Sequence, residues 1–390
     1  MRKIVYVTGS RAEYGVIRST LEEIQKHKDL KLSLIVTGMH LSQVFGKTVK
    51  EIEKDGFKID AKINILPRED TGIAMAKYLG EGIIRIAEAL EKIKPDIVLV
   101  AGDRTEALAA AIAATYLNIP VAHISGGDIT EGGTIDDIIR HCITKFAHIH
   151  FPATKKSAEI IIRMGEDPSR VFIVGNPGVP IKYKPSKKEL QQTARRFKLD
   201  LTKPILLVIQ HPVTTEAHLA DKQMRETMEA IRELGMQTIV VYPNADAGAQ
   251  GMIKIINEYK KFSFIQIYKS IPRKTFLQLM AMSSVLIGNS SCALIEAPSF
   301  NLPAVNIGKR QEGRERGNNI IDAKPKKEEI ISAIRKALYD KKFREQVKKS
   351  KSPYVRKGAE KNIVKILRKI KISPGLLQKS FFKKEGRGHE

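Results

Sequence analysis

The 390-residue sequence predicts an α/β fold of two doubly wound, Rossmann-like parallel-sheet domains facing a cleft. Three observations carry that expectation. Short runs rich in Ile, Val and Leu recur along the chain, with amphipathic stretches between them. The runs are apolar throughout instead of alternating, as strands covered by helices on both faces are. The chain is also too long for one compact core and suits two domains of roughly 150 to 200 residues.

In chain order, the first series of strands is Ile4–Val7, Leu32–Val36, Ile97–Val100, Val121–Ile124 and Ile149–Phe151. The second is Ile205–Ile209, Thr238–Val241, Phe264–Ile267, Val285–Ile287 and Ala304–Ile307. Val16–His27, Ala74–Ile93 and Thr105–Leu117 have the spacing of crossover helices. A Gly-, Pro- and Lys-rich stretch over 175–188 marks the seam. The expected units are residues 1–178, residues 179–355, and a basic helix and tail over 356–390 that packs back on the first domain. No repeat shows at the residue level, so any duplication is architectural.

Apolar residues make up 42% of the chain and no run reaches the roughly 18 uninterrupted apolar residues of a membrane span. The first strand follows the N-terminus directly, without the layout of a signal peptide, and a cytoplasmic location is expected. Cys142 and Cys292 stand far apart without metal-ligand spacing, which excludes a zinc ribbon or a disulfide framework. Each reads as a small buried apolar residue. The formal charge is +24, and residues 321–390 hold 22 Lys and Arg against 8 Asp and Glu. The excess therefore lies away from the motifs below, as a solvated lysine-rich face. No zinc spacing or aromatic block supports nucleic-acid binding.

In doubly wound sheets, ligands bind beyond the carboxyl ends of the strands, so the polar residues there are the informative ones. The first strand ends in Ser10-Arg11-Ala12-Glu13-Tyr14-Gly15, with a helix expected from about Gly15 and Arg11 as a phosphate ligand. This is not the G-x-G-x-x-G fingerprint of dinucleotide sites. Gly102-Asp103-Arg104-Thr105-Glu106 closes the Ile97 strand, where Asp103 or Thr105 serves either as a helix cap or in the site. His123-Ile124-Ser125-Gly126-Gly127-Asp128 and the following Glu131, Asp136 and Asp137 gather four carboxylates, which raise one another's pKa and suit acid/base work. His211, fixed before a proline, is placed as an acid/base or phosphate donor, and Asn244 closes the next strand. Gly288-Asn289-Ser290-Ser291 opens a helix whose N-terminus suits a diphosphate, with Glu296 placed to accept from sugar hydroxyls. Arg310 and Arg314 lie in a basic, glycine-bearing loop after a strand.

Taken in order, SRAEYG, GDRTEALA, HISGGD with GGTIDD, QHPVTTE, GNSSCALIEAP and GKRQEGRERG resemble the UDP-N-acetylglucosamine 2-epimerase family, and SRAEYG its hydrolysing, sialic-acid-pathway branch. The resemblance implies a GT-B type fold, a homodimer or homotetramer, and no metal or nicotinamide cofactor. It implies UDP-N-acetylglucosamine and water as reactants, with UDP and N-acetylmannosamine as products by way of a 2-acetamidoglucal. It further implies Asp103 as a catalytic aspartate, His211 beside the leaving group and Glu296 on the uridine ribose, with Arg11, Ser290, Ser291 and Arg310 or Arg314 around the diphosphate. Many relatives carry Glu or His where this chain has Ser125, so proton transfer falls to Asp128, Glu131, Asp136 or Asp137. Asp128 and Glu131 are favoured as nearest the strand end. The alternatives are the non-hydrolysing epimerase, the same reaction on a UDP-diacetamido sugar, and a GT-B glycosyltransferase.

Overall fold

The computed structural model describes residues 1–130, 132, 135–181 and 183–383. It holds two six-stranded sheets, and every strand pairing in them is parallel. The first contains β1 (Arg2–Thr8), β2 (Leu30–Thr37), β3 (Ile59–Ile63), β4 (Ile97–Ala101), β5 (Val121–Ile124) and β6 (Ile149–Phe151), in the order β3-β2-β1-β4-β5-β6. The second contains β7 (Leu206–Ile209), β8 (Thr238–Val241), β9 (Ile265–Tyr268), β10 (Val285–Gly288), β11 (Ala304–Ile307) and β12 (Ile320–Ala323). Its order, β12-β11-β10-β7-β8-β9, is the first order repeated. Each sheet reverses its winding once, at β1/β4 and at β7/β10, and these switch points are where such folds bind ligands.

All ten strands expected from apolar runs are present, and two are added. β3 and β12 are the outer strands of their sheets, and they carry Asp60, Lys62 and Asp322 on partly exposed backbones. Charged residues on an edge strand deter pairing with another chain, and they also erase the apolar run.

The first sheet is crossed by α1 (Arg11–Gln25), α2 (Val49–Lys54), α3 (Gly72–Ile93), α4 (Thr105–Tyr116), α5 (Ile135–Phe146) and α6 (Lys155–Arg163). The second has α7 (Lys187–Arg196), α8 (Ala220–Leu234), α9 (Ala249–Glu258), α10 (Arg273–Met282), α11 (Cys292–Ile295), α12 (Lys327–Tyr339) and α13 (Lys341–Lys348). Then α14 (Ala359–Lys369) returns to the first sheet, where Ile363, Val364 and Leu367 pack into one core with Ile17, Leu21 and Ile24 of α1. Helix α1 begins four residues earlier than its periodicity indicates, because Ser10 caps it by accepting from the Glu13 amide. Among the described residues no helix is long and apolar enough to cross a membrane. Cys292 is buried, whereas Cys142 is exposed on α5, contrary to the expectation that both are buried.

Candidate active site

A cavity of about 260 Å³ lies at the two switch points and is walled by both sheets. From the first domain it takes Arg11, Asp103, Ser125, Thr130, Asp136 and Arg140; from the second, His211, Asn244, Ser290, Ser291, Glu296, Arg310 and Arg314. Of the residues singled out in the sequence, Glu131 lies outside the described residues and Asp128 does not line the cavity.

On the first-domain wall the organising residue is Arg140 of α5, which is 1% exposed. Its guanidinium donates to the Asp103 carboxylate (3.1 Å from Nε), to the Asp128 carbonyl (2.9 Å), to the Thr130 hydroxyl (3.0 Å) and to Asp137 (2.9 Å). Asp103 is therefore no helix cap: α4 has Arg104 at its N-cap position and lacks a side-chain cap. Burial works to raise the Asp103 pKa, but Arg140, with Arg314 and Arg310 behind it, outweighs burial and holds the carboxyl below its ordinary value. Asp136 behaves in the opposite way. Burial, aided by Asp103 and Asp246, pushes it up to about 6, although Arg310 and Arg104 pull it down. Asp137 accepts from the amide and hydroxyl of Thr130 (2.7 and 2.9 Å). Burial raises its pKa, yet His141, Thr130 and Arg140 bring it down to about 2.

Two expectations change here. Asp128 accepts from Arg314 Nε (3.2 Å) and Nη2 (2.8 Å) and from the Ser157 hydroxyl (2.7 Å), so its carboxylate bridges the two domains and has no face on the cavity. Arg314 forms the other side of that bridge and also lines the cavity. Asp136, in the first turn of α5, is the cluster carboxylate that reaches the cavity.

On the opposite wall, Nδ1 of His211 accepts from the Asn244 amide (3.1 Å). A neutral ring so held carries its proton on Nε2. Burial, then Arg310 and Arg104, keeps the pKa well below the ordinary histidine value, so the ring is a neutral donor. The Asn244 side chain donates to Asp246, which also takes Arg104 Nη1 at 2.7 Å. The Asn289 side chain clamps the backbone of His211, accepting from its amide (2.7 Å) and donating to its carbonyl (2.9 Å). Gly288 has φ +125°, and a Cβ there would lie 2.0 Å from the Ile209 carbonyl oxygen, so only glycine lets the strand end close onto β7. The helix that follows is one turn long, Cys292–Ile295. Its dipole is small, and anion affinity falls to the amides and hydroxyls of Ser290 and Ser291 and to nearby arginines. Glu296 is ion-paired with Arg273 of α10. Arg11 lies over the Phe276 ring at 5.3 Å, with Nη1 buried and without a hydrogen-bond partner among the described residues.

Sequence reasoning missed Arg140, Arg104, Asp246 and Arg273, which orient the residues it found. It also missed a buried layer beneath the first loop. Glu13 accepts from the Tyr6 hydroxyl, and Glu106 accepts from the Tyr78 hydroxyl at 2.8 Å. Gly9 packs against Glu106 so closely that a Cβ would lie 2.2 Å from its Oε1. Burial pushes Glu13 up to about 8, with Glu106 adding to the rise against the Tyr6 hydrogen bond.

Two doubly wound domains with a cation-rich cavity between their switch points define the GT-B class of fold. A model of the UDP-N-acetylglucosamine 2-epimerase family matches residues 22–368. The chain is 41% identical over 340 residues to the UDP-N,N'-diacetylbacillosamine 2-epimerase (hydrolysing) of Legionella pneumophila, covering 87% of this chain and 89% of that protein. It is 33% identical over 343 residues to a UDP-N-acetylglucosamine 2-epimerase of Neisseria meningitidis serogroup B, covering 88% and 89%. In fold it is similar to the crystal structure of a Neisseria meningitidis UDP-GlcNAc 2-epimerase bound to UDP-GlcNAc, with a TM-score of 0.79, 20% identity, and coverage of 94% of this chain and 100% of that one. The chain belongs to the UDP-N-acetylglucosamine 2-epimerase family.

Proposed function

We propose that the chain is a hydrolysing 2-epimerase of a UDP-linked 2-acetamido sugar, converting UDP-N-acetylglucosamine and water to UDP and N-acetylmannosamine. The observation that carries this reading is the pair of carboxylates, Asp103 and Asp136, on one cavity wall with pKa values driven apart and a neutral histidine donor on the other. Such a separation marks a base and an acid. Asp103, ionised beside Arg140, takes the proton from C2. The C2–H electron pair becomes the C1=C2 bond, and the C1–O bond breaks to release UDP. His211 Nε2–H donates to the departing oxygen, with Arg11, Arg310 and the Ser290–Ser291 turn around the diphosphate. Asp136 then delivers a proton to the opposite face of C2 while water adds hydroxide to C1 and gives its other proton to solvent; Asp103 releases the C2 proton to solvent and Asp136 is reprotonated. Both steps leave the sugar's oxidation level unchanged and call on no redox cofactor.

A second reading is favoured by the higher identity with the Legionella protein. In it the same steps act on UDP-N,N'-diacetylbacillosamine. Proton and phosphorus NMR in deuterated water, with each UDP sugar in turn, tests both. Free UDP and a free 2-epimeric sugar deuterated at C2 are expected, and the faster substrate decides between the readings. Intact UDP-linked epimer would instead indicate the non-hydrolysing reaction, and a glycosylated acceptor a transferase. Replacing Asp103→Asn is expected to lower kcat by at least about a hundredfold with the fold intact. Activity like that of the parent would remove Asp103 from the mechanism.

A further inference from the structure

Four of the arginines lining the cavity, Arg104, Arg140, Arg310 and Arg314, pair with aspartates, and they hold them in different ways. Arg140 and Arg314 each engage a carboxylate through two nitrogens and are braced by further partners. Arg104 lies between Asp246 and Glu106. Among the described residues Arg310 alone of these four pairs with one carboxylate only and through a single nitrogen, Nη2 to Asp136 Oδ2 at 2.6 Å. Its Nη1 leans on the Asn289 carbonyl at 3.4 Å, and its Nε is buried without a hydrogen-bond partner among the described residues. The same guanidinium thus touches the acid/base carboxylate on one side and the Asn289-Ser290-Ser291 turn on the other.

We propose that Arg310 is a shared cation, held by Asp136 in the free protein and handed to the diphosphate when a UDP sugar binds, so that Asp136 takes up its proton only in the complex. This inference rests on the preceding reading of the cavity as a UDP-sugar site and adds its coupling to proton transfer. The exchange is favoured by charge: a diphosphate at the serine turn presents two negative charges and several acceptors to a guanidinium that one carboxylate oxygen now holds. Once Arg310 turns away, Asp136 loses its nearest cation and gains an anionic neighbour. The groups still facing it are Asp103 and Asp246, which favour the protonated form, and Arg104, which opposes it. Protonation is then favoured, and the acid needed for the second proton transfer is loaded by substrate binding itself. A free protein without the diphosphate keeps Asp136 ionised and cannot protonate C2.

Proton linkage measures this without turnover. Binding of UDP-glucose, which lacks the 2-acetamido group and whose diphosphate has no group titrating near neutrality, is followed by calorimetry at pH 7 in buffers of different ionisation heat. Net uptake of roughly half a proton per site is expected. The uptake should vanish in Asp136→Asn. It should shrink in Arg310→Gln, where Asp136 already lacks the cation before ligand arrives. Zero uptake or proton release by the parent protein, or the same uptake in Asp136→Asn, would overturn the exchange while leaving the site's ligand class intact. Failure of UDP-glucose to bind at all would overturn the underlying reading and the exchange with it.

Discussion

Glu13 is half-buried on the cavity wall, and desolvation pushes its pKa up to about 8, so it enters the folded state protonated at neutral pH. The unfolded chain would hold that proton only below the ordinary carboxylate range. The sign follows directly. The folded state binds more protons between the two values, and the stability Glu13 contributes is complete below the unfolded pKa and is lost as pH rises towards about 8. Glu13→Gln, which cannot ionise, is therefore expected to match the parent near pH 4 and exceed it by roughly a few kcal/mol at pH 9. Equal denaturant midpoints for the two proteins at pH 9 would show that Glu13 is ionised in the folded state at neutral pH. At this scale the sequence was most legible where a residue ends a strand: Arg11, Asp103, His211, Ser290 and Arg310 all line one cavity. Arg140 was not legible, because it reads as an ordinary residue in the middle of α5 and acquires its meaning only when α5 brings it back to Asp103, 37 positions earlier. Which clustered carboxylate faces the cavity was not legible for a related reason. Nearness to the strand end favours Asp128, but the chain turns there and points Asp128 at Arg314, leaving Asp136 to the cavity.

Among the elements, strands with apolar runs unbroken by charge announce themselves, the edge strands β6 and β9 included, and charged edge strands do not. β3 and β12 escaped notice because each has solvent on one side and carries charge to keep other chains away. Helix α14 lies in the stretch the sequence marks as a basic helix and tail, and its destination is fixed by its apolar stripe, Ile363, Val364 and Leu367, each 0% exposed. Arg170 adds to the attachment of the segment beyond it, donating to the carbonyls of Gly375 (2.6 Å) and Leu376 (2.9 Å). Leu367→Ala should lower stability by about 2–5 kcal/mol, the range for emptying a leucine site in a core. Thermal and urea unfolding of that variant, alongside a control such as Lys365→Ala on the exposed face, separates lost packing from lost charge. A Leu367 variant as stable as the control would mean that α14 adds nothing to the first domain.

For the molecule as a whole, buried ion pairs join the two domains across the cleft. Arg104–Asp246 (2.7 Å), Arg310–Asp136 (2.6 Å) and Arg314–Asp128 (2.8 Å) each pair a residue of one domain with a residue of the other. These pairs are largely buried, so removing one partner leaves the other uncompensated. Arg314→Met is expected to widen the cleft in the free protein, seen as a larger radius of gyration in solution scattering, and to lower kcat/KM more than tenfold. A scattering profile identical to the parent's would assign Arg314 a local role only. The buried pairs are screened less by added salt than the exposed charges behind the formal +24.

The path of the chain also has a temporal consequence. The first sheet is complete once β6 has been made, but the core beneath α1 waits for α14, more than 200 residues further on. On the ribosome, at about 5–20 residues per second, the first domain must stand for roughly ten to forty seconds with Ile17, Leu21 and Ile24 uncovered while the whole second domain is synthesised. Chains broken off in that interval present a sticky helix face to the cell's chaperones and proteases. Helix α14 thus completes the core of the first domain only after the second domain has been made.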